Sequence, residues 1–135
     1  MARLHVVAVN ARLPGWAETA CAEYAKRMPR GYAVSRIQIK EEGRLRASVP
    51  KGTRLIALDE RGKDLTTRQF AALLGAESAF VIGGADGLAE KTKADSELLL
   101  RVSAFTLPHA LAQVILLEQL YRAASLLTGH PYHRE

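Results

Sequence analysis

The sequence predicts an α/β domain built on a mostly parallel sheet of about five strands, and three observations carry that prediction. Short apolar runs alternate with segments of helical period along the whole chain. Two of those runs, Leu55-Ile56-Ala57-Leu58 and Ala79-Phe80-Val81-Ile82, are apolar at every position, as strands covered on both faces are. Neither an internal repeat nor a linker divides the 135 residues, so residues 1–135 are expected to form a single domain.

Taken in order, His5-Val6-Val7-Ala8-Val9 reads as the first strand. Pro14-Gly15 breaks it, and Trp16, Ala20, Cys21, Tyr24 and Met28 then recur at helical spacing until Pro29 stops the helix. Val34 to Ile39 alternates more weakly and is expected as the second strand. Lys40 to Gly52, charged and containing Gly and Pro, reads as a surface loop. Beyond the Leu55 strand, Thr66 with Gln69 three residues on is a capping box, and Gly75 stands where a C-terminal cap belongs. Phe70, Leu73 and Leu74 supply that helix's buried stripe. The Ala79 strand runs into Gly83-Gly84; a short helix is expected near Leu88 to Asp95 and a strand around Leu98 to Ser103. The last helix, Ala110 to Leu127, ends at Gly129 with Pro131 just beyond. Leu111, Val114, Ile115, Leu116, Leu117, Leu120, Leu126 and Leu127 make it apolar around most of its circumference. A small domain scarcely covers such a helix alone, so a homodimer interface is expected, with a central core helix of a monomer as the alternative.

Composition narrows the class. A hydrophobic share of 48% with 24% charged residues and no low-complexity run is that of a globular protein. The single cysteine, Cys21, rules out an internal disulfide and fits a reducing compartment. No run approaches the roughly 20 apolar residues of a membrane span, and Val6 to Val9 is too short for a signal-peptide core. A cytoplasmic protein without membrane contact is therefore expected. The 19 Lys and Arg against 14 Asp and Glu give +5, unevenly placed: Lys26 to Arg68 holds 12 basic and 5 acidic residues. A basic half suits a polyanionic partner, although charge by itself leaves an ordinary solvated surface equally open.

Three segments have the composition of a site. Gly83-Gly84-Ala85-Asp86-Gly87 leaves a buried strand at its carboxyl end, where ligands bind in open α/β sheets. Its glycines permit close backbone approach, yet alone the motif marks a plain turn as readily as a ligand site. Ser103-Ala104-Phe105-Thr106-Leu107-Pro108-His109 leaves another strand; small and apolar, it can offer backbone N–H and C=O groups to an adenine edge. Pro108 suits a helix start, and His109 there is by itself as consistent with packing as with catalysis. The tail His130-Pro131-Tyr132-His133-Arg134-Glu135 is rich in groups that stack, hold phosphate or move a proton near neutral pH. Its two histidines lack a cysteine partner and find only scattered carboxylates, so no metal site is expected.

Read together and in order, these three segments resemble the bacterial large-subunit (23S) rRNA pseudouridine N3-methyltransferases of the RlmH family, within the SPOUT superfamily. Val6-Val7-Ala8-Val9 with Pro14-Gly15-Trp16, and Ala57-Leu58-Asp59-Glu60-Arg61-Gly62-Lys63, fit the same pattern, so the likeness covers nearly the whole chain. The resemblance implies a single SPOUT-type domain with a C-terminal trefoil knot, a rare exception among folds, working as a homodimer. It implies S-adenosyl-L-methionine as methyl donor, lined by Leu58, Gly84, Ser103, Ala104, Phe105, Thr106, Leu107 and Pro108. It implies further that one subunit's tail completes its partner's site, and that the substrate is a pseudouridine of large-subunit rRNA in the assembled ribosome. On this reading His133 and Arg134 activate the substrate or stabilise its anion, with Tyr132 and His109 positioning. Family members usually carry a longer segment, including a helix, where this chain has only Lys40 to Gly52. That shortening bears on RNA contacts made there and leaves the knot segments intact. Two rival classes stand beside this one: a noncatalytic RNA- or ribosome-binding module, and an NAD-dependent α/β enzyme. The latter is opposed by the absence of G-x-G-x-x-G after the first strand.

Overall fold

A computed structural model describes residues 3–133. The centre of the sheet is the pair β1 (Leu4–Val9) and β4 (Ser78–Gly83), each buried at all six positions. The apolar run through β4 is what a strand covered on both faces requires. Around this pair lie β2 (Val34–Ile39), β3 (Arg54–Asp64) and β5 (Leu98–Arg101), in the order β2-β1-β4-β3-β5. Every pairing is parallel. The α/β class with a five-stranded parallel sheet is thus the observed architecture among the described residues.

Alternation along the strands feeds two apolar cores. Leu4 and Val6 of β1, Ile56 of β3 and Phe80 of β4 point to one face, where they meet Cys21 of α1 (Gly15–Arg27), Phe70 of α3 (Thr67–Ala71) and Leu116, Leu117 and Leu120 of α5 (His109–Thr128). Val7, Val9, Leu55, Ala57, Ala79 and Val81 point to the other face and pack with Ile39, Leu45, Val49 and Leu88. The long helix α5 has the length and apolarity of a membrane span, with a mean hydropathy of 1.2, but half of that stretch is buried inside the fold. It stops at Gly129, whose φ of 77° is the left-handed conformation that glycine adopts without penalty.

Several elements differ from the sequence expectation, each for a local reason. Lys40 to Gly52 is not merely a surface loop: a 3-10 turn (Glu42–Arg44) leads into the single-turn helix α2 (Leu45–Ser48). Leu45 and Val49 are buried in the second core. Two apolar residues in so short a piece leave no period to read. The Thr66 capping box is present as expected, with Gln69 N–H donating to the Thr66 hydroxyl and Thr66 N–H to the Gln69 side chain. Gly75, however, is not a left-handed cap; α3 tightens into a 3-10 turn (Ala72–Gly75) that passes straight into extended backbone. On α1 the buried residues are Ala17 and Cys21, whereas Trp16 is 59% exposed. β3 continues well past its apolar stretch to Asp64, pairing with β5 on both sides of a bulge between Leu58 and Lys63.

Leu120 is fully buried where α5 meets the sheet. Leu120→Ala should therefore lower unfolding stability by about 2–5 kcal/mol, while Thr66→Ala, which removes only a cap, should cost about 1 kcal/mol. Denaturant titration of the two variants against the parent chain checks the contrast.

Candidate active site

At the carboxyl ends of β3, β4 and β5 lies a cavity of about 550 Å³, within the size range of small-molecule and cofactor sites. One wall is the turn after β4. A side-chain carbon on Gly84 would stand 2.5 Å from the Asn10 carbonyl oxygen, and one on Gly83 would stand 2.7 Å from the Gly87 backbone. Only glycine permits either approach. Gly87 N–H closes the turn on the Gly84 carbonyl at 3.0 Å, with Gly87 at φ 72°. Asn10, on the other side of the contact, holds a left-handed φ of 49° while its N–H bonds the Ile39 carbonyl at 2.8 Å. The ends of β1, β2 and β4 are thereby locked together beside the cavity.

The second wall is the segment between β5 and α5. Phe105 N–H donates to the Ser103 hydroxyl at 2.9 Å, which bends the chain. The backbone groups of Thr106 and Leu107 make no hydrogen bond with other described residues. They are available to a ligand, as an adenine edge requires. Pro108 opens α5 with its carbonyl accepting from Ala112 N–H at 3.0 Å.

The third wall carries the charge. Asp59, its side chain 7% exposed, accepts from Lys93 Nζ at 2.8 Å and from Arg61 N–H at 2.7 Å. The Lys93 ammonium, followed by the Arg61 N–H, holds the Asp59 carboxyl below the usual carboxylate range; reciprocally, the carboxylate raises Lys93. Lys93 sits on α4 (Glu90–Asp95), which has no side-chain cap from its own N-cap residue. Glu42 replaces it: both carboxylate oxygens accept from Ala89 N–H at 3.0 Å, and one also accepts from the Thr92 hydroxyl. The segment that reads as a loop in sequence therefore fixes the helix carrying a cavity residue.

Of the residues singled out from sequence, Leu58, Gly84, Ser103, Phe105, Thr106, Leu107, Pro108 and His109 line this cavity together. Ala104 is exposed and does not line it. Tyr132 and His133 do not line it; Tyr132 is folded back on α5 and bonded to Glu118. Glu118 is nine residues from His109, about 14 Å of helical rise. Arg134 lies outside the described residues. The Asp59–Lys93 pair and the Glu42 tether escaped the sequence reading. Their partners are 34 and 47 or more residues apart, and no local pattern joins them.

A parallel α/β sheet with a glycine-walled cavity at its strand ends, opposite a loop of free backbone groups, is the arrangement in which open α/β proteins bind small ligands. The chain belongs to the SPOUT methyltransferases: the family described as "predicted SPOUT methyltransferase" matches residues 2–133. It is 47% identical, over 98% of its length and 99% of the relative's, to the ribosomal RNA large subunit methyltransferase H of Burkholderia mallei strain SAVP1. That alignment runs over 154 residues, more than the 135 present here, so this chain is shortened relative to that protein. Two solved structures share the fold. The AdoMet-bound rRNA methyltransferase of Sinorhizobium meliloti superposes with a TM-score of 0.62 at 16% identity, over 89% of this chain and 56% of that one. AviRb, the SpoU methyltransferase of Streptomyces viridochromogenes in complex with AdoMet, superposes at 0.57 and 17% identity, over 87% and 56%.

Because the folded state holds Asp59 below its ordinary value of about 3.9, the carboxylate stabilises the fold above that pH. That contribution is lost as pH falls through the lowered folded value. Asp59→Asn should be less stable than the parent near neutral pH, and the gap should narrow below about pH 4. Urea midpoints at pH 7 and pH 3 check it; a gap that widens in acid would refute the assignment.

Proposed function

We propose that this chain is a homodimeric rRNA methyltransferase that moves a methyl group from S-adenosyl-L-methionine to N3 of a pseudouridine in large-subunit rRNA on the assembled ribosome. The observation that carries the reading is the near-full-length relative named as a large-subunit rRNA methyltransferase, taken with a glycine-walled cavity at the strand ends. We infer further that residues 1–135 act as one domain threaded as a trefoil knot. The match of residues 2–133 to the SPOUT methyltransferases supports that threading.

The cavity fits the donor in size and in kind. Leu58, Gly84, Phe105, Leu107 and Pro108 line it, Thr106 and Leu107 offer unused backbone groups for an adenine, and Asp59 with Lys93 supply charge at one side. When bound, the donor's sulfonium supplies an already activated methyl group, and no metal is required. The remaining work falls to the protein. It must align the pseudouridine nitrogen with the methyl carbon and take up or neutralise the charge left when the ring N–H is lost. His133 is the group that takes up that proton, and Arg134 stabilises the ring anion. His109, in the cavity wall, orients the ring.

Described tail residues do not line the cavity of their own chain. The hold of Tyr132 on α5 supports a second copy as the source of His133 and Arg134. The unburied apolar residues of α5, with Leu127 46% exposed, supply a surface for that copy.

His133→Ala should lower kcat by about 10²–10⁴-fold with donor affinity, read by calorimetry, within about twofold. Mass spectrometry of rRNA from cells with and without the protein should show one pseudouridine losing its N3 methyl. Unchanged rRNA would reject the substrate, and no donor binding would leave a noncatalytic ribosome-binding module in its place.

A further inference from the structure

The described part of the tail is held in place by a built cluster. The Tyr132 hydroxyl donates to Glu118 Oε2 at 3.0 Å. That same oxygen accepts from Arg122 Nε at 2.9 Å and Nη2 at 2.6 Å. The Arg122 guanidinium lies over the Tyr132 ring, 4.8 Å from its centre, and Tyr121 packs against that ring with centroids 4.4 Å apart. Glu118 Oε1 accepts from Gln119 at 2.7 Å, so both carboxylate oxygens are engaged. Upstream, Gly129 turns left-handed and His130 N–H bonds the Ser125 carbonyl at 2.9 Å, which directs the chain back along α5.

We propose that Glu118 and Arg122 form a clamp that sets the direction of the C-terminal tail, with Tyr132 as its anchor: a positioning residue, not a carrier of the reaction's proton. The proposal rests on the reading that the tail works in its partner's site. Three interactions meet on one tyrosine side chain, one polar and two through the ring. The hydroxyl proton is already committed to a charged acceptor, and charge-assisted bonds of this kind are the stronger ones. Burial and the Glu118 carboxylate push the phenol's pKa well above its ordinary value, so Tyr132 is a poor base at neutral pH. His133 follows immediately, its Cα about 3.8 Å away, and Arg134 is next in sequence. Fixing Tyr132 therefore fixes where His133 begins. A geometric error of about 1 Å there is enough to cost on the order of 10²-fold in rate.

Glu118 and Tyr132 act through each other, so their variants must be non-additive. Glu118→Ala and Tyr132→Phe should each lower kcat about tenfold, with the donor dissociation constant within about twofold, and the double variant should be no worse than either single one. Glu118→Gln, which keeps an acceptor for the hydroxyl, should recover part of the loss. Clamp and donor cavity also belong to different chains in each working site. Mixing Glu118→Ala subunits with Ala85→Trp subunits, whose cavity is filled from an exposed position in its wall, should restore activity well above that of either variant alone.

Opposite results overturn the proposal. Tyr132→Phe falling far below Glu118→Ala would make the hydroxyl a chemical participant. Multiplied losses in the double variant would uncouple the pair, and absence of complementation would place Glu118 in its own chain's site. Tyr132→Phe keeps the ring contacts, so it tests the anchor even if Glu118→Ala unfolds, which thermal melting reports. A parent dimer that transfers no methyl removes the proposed function itself; an active parent with equally active clamp variants removes the clamp alone.

Discussion

The contact between Gly84 and the Asn10 carbonyl is the constraint on which the cavity depends. At 2.5 Å for a side-chain carbon there is no room for any residue but glycine. Because backbone meets backbone, the exits of β1 and β4 are held without an intervening side chain that could change rotamer. Asn10 takes a left-handed φ to complete the contact and remains tied to the end of β2. Three strand ends thus share one rigid junction, itself supported by the two fully buried strands beneath it. The loop from β5 to α5 faces that junction and closes the cavity.

Charge is arranged around this apolar floor through long-range links. Asp59 comes from the bulged extension of β3, Lys93 from α4, and the cap that holds α4 from Glu42. Each of these elements is too short to be stable alone: α4 has six residues and α2 four. Isolated helices of that length do not persist in water. Here α4 is kept by the Glu42 carboxylate on the Ala89 N–H at its start, and α2 by Leu45 and Val49 buried under the sheet. A shortened connection between β2 and β3 can therefore still serve the cavity, because what it must deliver is one carboxylate at the right place.

The legible part of this fold was the part with local pattern. Doubly covered strands read as unbroken apolar runs, the Thr66–Gln69 cap reads from spacing, and the end of α5 reads from Gly129 and Pro131. The two glycine- and serine-bounded segments were recognisable because their backbone demands restrict residue type over several consecutive positions. What escaped is equally physical. Trp16 matched a helical period while lying on the exposed side of α1, since a period gives a face but not which way it turns. Gly75 matched a cap position, but a tightening to 3-10 geometry ended that helix instead. The Asp59–Lys93 pair and the Glu118–Arg122–Tyr132 cluster depend on side chains meeting across the fold or across a chain reversal, and no single-sequence period encodes such meetings.

The helix α5 links the two halves of the proposed chemistry while holding them apart. Its first turn, with His109 and Ala112, belongs to the cavity wall; its middle, with Glu118 and Arg122, belongs to the tail. A straight helix is stiff over this length, and its core-facing side is fixed by Leu116, Leu117 and Leu120. Flexing within one chain therefore does not close the roughly 14 Å of helical rise between them. Under the proposed function the same rigidity becomes useful in a pair. Each chain presents a donor cavity at one end of α5 and an ordered tail farther along it, so two copies packed through the unburied apolar side of α5 can supply to each other what neither assembles alone.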